Sequence, residues 1–131
     1  MPTLKKALIT GGTRGIGKSI VEALKKNYEV YYTGTKNRNI KNYFQLDLSD
    51  KKSVNCFIED TSKLNFDILV NNAGINNIKY FNNYKIEEIH EMLNVNLVNL
   101  TLVTKVLLKN MIKNKWGKII NIQYFLIYLK F

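Results

Sequence analysis

The sequence predicts an α/β fold: an open, doubly wound parallel sheet with helices on both faces. Three observations carry this reading. Strand-like and helix-like segments alternate along the 131 residues, the pattern of strands joined by helical crossovers. A glycine-rich turn lies between the first strand and the first helix. The segment Phe66 to Val70 (FDILV) is apolar along almost its whole length, as strands covered on both faces are. The length suits one domain, 1–131, with its own core. No internal repeat, linker or low-complexity tract divides it.

The elements follow in order. Lys6 to Thr10 (KALIT) reads as the first strand and Gly11 to Gly17 as the turn. Ile16, Ile20, Ala23 and Leu24 then fall on one helical face, and Lys25 and Lys26 suit the negative end of that helix. Glu29 to Thr33 is a second strand and Tyr43 to Leu46 a short third. Lys51 to Lys63 reads as a helix with Val54, Phe57 and Ile58 inward, and FDILV as the fourth strand. From Ile86 to about Met111 runs a long helix whose buried face is expected to hold Ile86, Ile89, Leu93, Leu97, Leu100, Leu107 and Met111. Gly117 closes the connection, and Lys118 to Ile122 (KIINI) is the fifth strand.

Composition narrows the function classes. At 46% hydrophobic residues the chain is a folded one. No apolar run approaches the roughly 20 residues of a membrane span, and Met1 to Thr10 lacks a signal-peptide core. The single cysteine, Cys56, cannot close an internal disulfide, so a reducing, cytoplasmic setting is expected. The net charge of +10 suits a surface that attracts phosphate. The lysines are scattered rather than blocked, though, and read more as composition than as a nucleic-acid face; no nucleic-acid recognition motif accompanies them.

The turn Thr10-Gly-Gly-Thr-Arg-Gly-Ile-Gly-Lys-Ser19 is placed to hold an anion. Glycines let phosphates approach backbone N–H groups, and the helix N-terminus adds partial positive charge. Two patterns fit its letters. Gly12, Gly17, Lys18 and Ser19 satisfy the P-loop G-x-x-x-x-G-K-[ST]; Gly11, Gly15 and Gly17 satisfy G-x-x-x-G-x-G. A P-loop enzyme needs an aspartate at the end of an apolar strand to help hold magnesium. In FDILV the aspartate, Asp67, is at the wrong end, and Asp47 follows only a short run. No metal site is expected.

Three further motifs follow in order, and together with the turn they resemble the short-chain dehydrogenase/reductase family, in particular its group of 3-oxoacyl-carrier-protein reductases. Thr10 to Gly17 (TGGTRGIG) resembles the cofactor loop, with Gly11, Thr13, Arg14, Gly15, Ile16 and Gly17 as implied cofactor contacts. Asp47-Leu48 resembles the pair at the adenine ring. Asn71, Asn72, Ala73 and Gly74 (NNAG) resemble the motif that steadies the sheet and touches the cofactor. Asn96, within Asn94 to Leu97, falls where the family keeps a catalytic asparagine on the long helix. The resemblance implies a Rossmann-type sheet in the order 3-2-1-4-5 and NAD(P)-dependent interconversion of a ketone and an alcohol.

Cofactor choice is legible at the end of the second strand. A carboxylate there, about 20 residues beyond the loop, selects NAD; Thr33 to Asn37 holds none. Arg14 offers a planar fork for a 2′-phosphate, Thr35 a hydroxyl and Lys36 a further cation. NADP is therefore expected over NAD.

The resemblance also implies residues this sequence lacks. The family's proton transfer uses a tyrosine with a lysine four residues later, a serine after the fifth strand, and the asparagine. Here Gln123 and Tyr124 follow KIINI, with Tyr124 roughly at the serine's place. Four residues on stands Tyr128, and Phe131 is the last residue. Tyr32 to Lys36 (YTGTK) matches the spacing by coincidence, on the adenosine side, and His90 in EEIHEM reads as a solvated helix residue. The tail Gln123 to Phe131 (QYFLIYLKF) has no family counterpart and suggests a frameshift or early stop. The expectation is a fold truncated after the fifth strand: a catalytically silent nucleotide-binding remnant of an oxidoreductase acting on a carbonyl or alcohol substrate, with family-type homo-oligomerisation in doubt.

Overall fold

A computed structural model describes residues 2–123. Five parallel strands form one sheet in the order β3-β2-β1-β4-β5, the order the resemblance implies. They are β1 (Lys6–Ile9), β2 (Glu29–Gly34), β3 (Tyr43–Gln45), β4 (Ile68–Asn71) and β5 (Lys118–Asn121). The crossovers are α1 (Gly15–Leu24), α2 (Lys51–Thr61), and a continuous helical run made of α3 (Ile86–Leu93), a π-helical turn (Asn94–Asn99) and α4 (Leu100–Lys113).

Strand side chains alternate between faces, and the two cores show it. Leu8, Tyr31 and Leu69 point to the face covered by α2 and α4, where they meet Phe57, Val103, Leu107 and Met111. Their neighbours Ala7, Ile9, Val30, Ile68 and Val70 point to the face covered by α1 through Val21. Neither face of the central strands reaches water: Ala7, Leu8, Ile9 and Leu69 are 0% exposed. That is the physical reason FDILV carries no polar alternation.

Two inward assignments from the sequence, and one statement about helix length, need correction. In α1, Ile16 and Ala23 are exposed, and the buried stripe is Gly17, Ile20, Val21 and Leu24. The helix begins at Gly15 with Gly17 pressed on the sheet, which turns Ile16 outward. In the long helix, Ile86, Leu93 and Leu97 are exposed, and Met92 and Val95 take the inner positions ahead of Leu100, Val103, Leu107 and Met111. The π turn is the cause. It inserts an extra residue into the helical repeat, so the stripe running back from Leu100 lands on Val95 rather than Leu97. Third, the run Ile86–Lys113 is 28 residues of helix, long and apolar enough by length and composition to cross a membrane. The sequence reading denied any such segment; here its inner face is part of the core.

On the outer side of β4, strand β5 leaves Ile119 and Ile120 exposed, while Ile122 packs partly against the α1-side core. The expected place of the serine, Tyr124, and the rest of the tail to Phe131 lie outside the described residues.

Candidate functional site

The site lies at the C-terminal ends of β1, β2 and β4. Strand order reverses between β1 and β4, and such a switch point is where open α/β sheets bind ligands. The glycine turn is held there from both sides. Gly11 donates its N–H to Thr33 Oγ1 at 3.1 Å, and Gly12 its N–H to the Thr33 carbonyl at 2.9 Å. From β4, Asn72 Nδ2 donates to the carbonyls of Thr10 and Gly11 at 3.2 and 3.1 Å. The Thr10 hydroxyl oxygen accepts the N–H groups of Asn72 and Ala73, each at 3.0 Å. Thr10 and Thr33 are buried polar residues that the sequence reading did not single out. Their signal, a threonine closing each of two apolar strands, is too common to read unaided.

Two glycines decide the shape. A Cβ on Gly17 would sit 2.0 Å from the Gly11 carbonyl oxygen, so only glycine lets the turn lie this close to α1. Gly15 has φ +55, and a Cβ there would meet nothing within 4 Å. The space in front of α1 is therefore open, and no side chain caps that helix. By contrast Asp50 caps α2, accepting the Lys52 N–H at 3.0 Å. Open space faced by first-turn N–H groups without intrahelical partners fits a pyrophosphate.

A cavity of about 530 Å³ runs along this turn. All the residues expected to touch a cofactor line it except Asn71: Gly11, Thr13, Arg14, Gly15, Ile16, Gly17, Thr35, Asp47, Leu48, Asn72, Ala73 and Gly74. Asn71 is 0% exposed and points into the sheet. Its Nδ2 donates to Thr104 Oγ1 at 3.0 Å and to Asn121 Oδ1 at 2.8 Å, tying β4 to α4 and β5. Its expected cofactor contact is thus corrected to a tie within the sheet. Lys18 and Ser19, needed by the P-loop reading, are exposed on α1, and the Ser19 hydroxyl donates to the Gly15 carbonyl at 3.3 Å. Gly12 is buried against Tyr32 and Val21.

The cavity's cations are Arg14, Lys36 and Arg38; its acids are Asp47 and Glu91. None of the three cations is ion-paired among the described residues. Asp47 Oδ1 accepts from the Ser49 N–H and hydroxyl, which holds the turn into α2. The Leu48 carbonyl accepts from Asn99 Nδ2 at 2.6 Å, so the π turn braces the same corner.

A second, mainly apolar cavity of about 380 Å³ adjoins the first through Asn72 to Ile75 and is closed by Met92, Leu93, Asn96, Leu97, Ile122 and Gln123. Asn96 lies in this cavity rather than the first. Its side chain makes a paired contact with one residue: Oδ1 accepts the Ile75 N–H and Nδ2 donates to the Ile75 carbonyl, both at 2.8 Å. Its backbone carbonyl, in the π turn, accepts Gln123 Nε2 at 2.5 Å. Asn96 therefore holds the irregular segment that follows NNAG, and Gln123 is a contact the sequence did not reveal.

These features define a nucleotide-binding α/β domain. The family model for short chain dehydrogenases matches residues 5–124, and the chain belongs to that family. It is 38% identical over 138 aligned positions to the 3-oxoacyl-acyl-carrier-protein reductase FabG of Buchnera aphidicola subsp. Baizongia pistaciae, covering 93% of this chain and 56% of that protein. Among solved structures, it superimposes on ElxO with NADP bound at a TM-score of 0.76 and 32% identity, covering 91% of this chain and 55% of that one. It superimposes on a short chain dehydrogenase from Leptospira borgpetersenii with bound NAD+ at 0.75 and 26%, covering 91% and 51%. The chain spans about half the length of the curated relatives it matches. The family is one of oxidoreductases that bind a nicotinamide dinucleotide.

Proposed function

We propose that this chain forms the NADP-binding half of a carbonyl–alcohol oxidoreductase in a reducing, cytoplasmic setting, with a 3-oxoacyl thioester as the substrate class. The observation that carries the cofactor choice is the meeting of Arg14, Thr35, Lys36 and Arg38 at one cavity whose strand end holds no carboxylate. A 2′-phosphate there meets cations and no repelling acid at the place where NAD-selective sites keep one. The substrate class rests on likeness to FabG relatives.

In this reading the turn Gly11 to Gly17 and the start of α1 hold the pyrophosphate. Asp47 and Leu48 lie at the adenine, and Ala73 and Gly74 line the passage from the first cavity to the second. Bound NADPH supplies hydride to a carbonyl carbon. The chain's own part is to bind and orient: Asn72 and Thr10 keep the turn fixed to β4, and Asn96 keeps the segment beyond Gly74 in place. Residues 1–131 act as one domain.

A binding role without turnover is the second reading, favoured by one observation. Asn96 spends its side chain on Ile75 and its carbonyl on Gln123. Among the described residues the Tyr-x-x-x-Lys spacing occurs at Tyr32 and Lys36, on the opposite side of the glycine turn.

The experiment is a titration of the chain and of Arg14→Ala with NADPH and NADH, followed by nucleotide fluorescence. A charge-assisted contact contributes about 1.5–3 kcal/mol, so NADPH is expected to bind about tenfold or more tightly, and Arg14→Ala to lose most of that margin. Equal affinities in the unsubstituted chain would overturn the NADP reading. Protein-dependent, sustained NADPH oxidation with acetoacetyl thioester would overturn the binding-only reading.

A further inference from the structure

The turn after β2 is exposed, yet it is held by its backbone. Tyr43 Oη donates to the Lys36 carbonyl at 2.5 Å, and Gln45 Nε2 donates to the Thr35 carbonyl at 3.0 Å. Both donors come from β3, two residues apart on the same side of the strand. We propose that Tyr43 and Gln45 are positioning residues for 2′-phosphate recognition: a two-point clamp from β3 that holds the turn Thr35 to Arg38 so that Lys36 and Arg38 serve the same cavity as Arg14. This rests on the NADP reading above and adds to it the device that makes the basic cluster selective.

Three observations support it. First, Thr35, Lys36, Arg38 and Tyr43 itself all line the cavity with Arg14. Second, the peptides are trans, so the N–H of each clamped peptide points opposite to its carbonyl. The Lys36 and Asn37 N–H groups are thus turned away from β3, and neither finds a protein acceptor among the described residues. Both stay unpaired backbone donors in the same turn as Lys36 and Arg38. Third, Tyr43 is wedged where it cannot drift. Its ring packs edge-on against Tyr32, and a Cβ on Gly34 would lie 2.7 Å from its hydroxyl and 2.6 Å from Thr13 Cγ2, so a glycine at the end of β2 lets both approach. Burial pushes the Tyr43 hydroxyl up from its ordinary value, with nearby Arg38 opposing, so it remains a donor through the neutral range.

The physical gain is preorganisation. Long cationic side chains on a loose turn must be ordered when the ligand binds; a turn already fixed at two carbonyls loses less. The cost of removing the clamp should therefore fall on the 2′-phosphate and not on the rest of the nucleotide.

The test compares adenosine 2′,5′-bisphosphate with adenosine 5′-monophosphate by calorimetric titration of the unsubstituted chain, Tyr43→Phe, Gln45→Ala and the double variant. Thermal melts establish that each variant folds. The unsubstituted chain is expected to prefer the bisphosphate about tenfold or more. Each single variant is expected to cut that ratio by about threefold, and the double variant to cut it further. General loosening of the glycine turn would weaken both ligands alike and leave the ratio unmoved. A strong preference that persists in all three variants overturns the clamp while leaving the NADP reading intact. A ratio near one in the unsubstituted chain overturns both. Should Tyr43→Phe fail to melt cooperatively, the exposed Gln45→Ala decides alone: an unmoved ratio overturns the clamp.

Discussion

Replacing Gly17 by alanine tests the central contact of the site. The new Cβ would stand 2.0 Å from the Gly11 carbonyl oxygen and 2.5 Å from Asn72 Nδ2. Neither neighbour is the free end of a flexible chain: the first is backbone, and the second donates to that same carbonyl at 3.1 Å. The turn must move off α1, and the Asn72 bonds to Thr10 and Gly11 are stretched with it. Overpacking of this kind costs about 1–3 kcal/mol, and each neutral hydrogen bond lost about 0.5–1.5. The helical preference of alanine returns about 1 kcal/mol. The net is a loss of about 1–5 kcal/mol, which for a chain of this size lowers Tm by roughly 3–25 °C. Gly15→Ala is the contrasting variant. Its Cβ meets nothing within 4 Å, so only the φ of +55 costs, about 1–2 kcal/mol. Its methyl group, however, enters the space in front of α1 and should weaken NADPH and NADH alike. Thermal denaturation followed by circular dichroism, with nucleotide titration of both variants, separates the two. A Gly17→Ala chain that melts within about 2 °C of the unsubstituted one, less than the shift expected here, would refute the packing argument.

Asn71→Ala removes both ties from β4, to Thr104 and to Asn121, at a position that is 0% exposed. Each hydrogen bond lost costs about 0.5–1.5 kcal/mol, so chemical denaturation should show a clear drop in midpoint; an unchanged midpoint would mean that β5 needs no tie. Glu88 is held below its ordinary value of 4.5, first by its hydrogen bond from Lys79 at 2.5–2.6 Å and then by the Lys85 N–H. A depressed carboxylate stabilises the fold above its unfolded value and loses that contribution as pH falls through its lower folded value. The stability advantage of the unsubstituted chain over Glu88→Gln should therefore be full at neutral pH, begin to fall as pH drops below 4.5 and be gone once pH lies below the lower folded value; an advantage that does not change between neutral pH and strong acid would count against the Lys79 pairing.

Much of the fold was legible in the residues because it depends on local patterns. FDILV announced a strand covered on both faces, TGGTRGIG a turn between strand and helix, and each kept its place. The glycine turn was legible for the same reason: glycine is demanded by backbone geometry at the position itself. What the sequence could not show was anything set by register between distant segments. Leu93 and Leu97 were placed on the buried face because an unbroken helix would put them there; the π turn at Asn94–Asn99, braced by Asn96 on Ile75 and Asn99 on Leu48, gives that face to Met92 and Val95. Asn71 was read with its neighbours as a cofactor contact, but strand alternation turns it into the sheet while Asn72 faces the turn. Arg38 and Tyr43 went unnoticed because their meeting depends on how β3 pairs with β2, Tyr32 beside Tyr43. Local chemistry determined the elements and the glycine turn; the pairing of strands and one extra residue in a helical turn decided which side chains look into the candidate site.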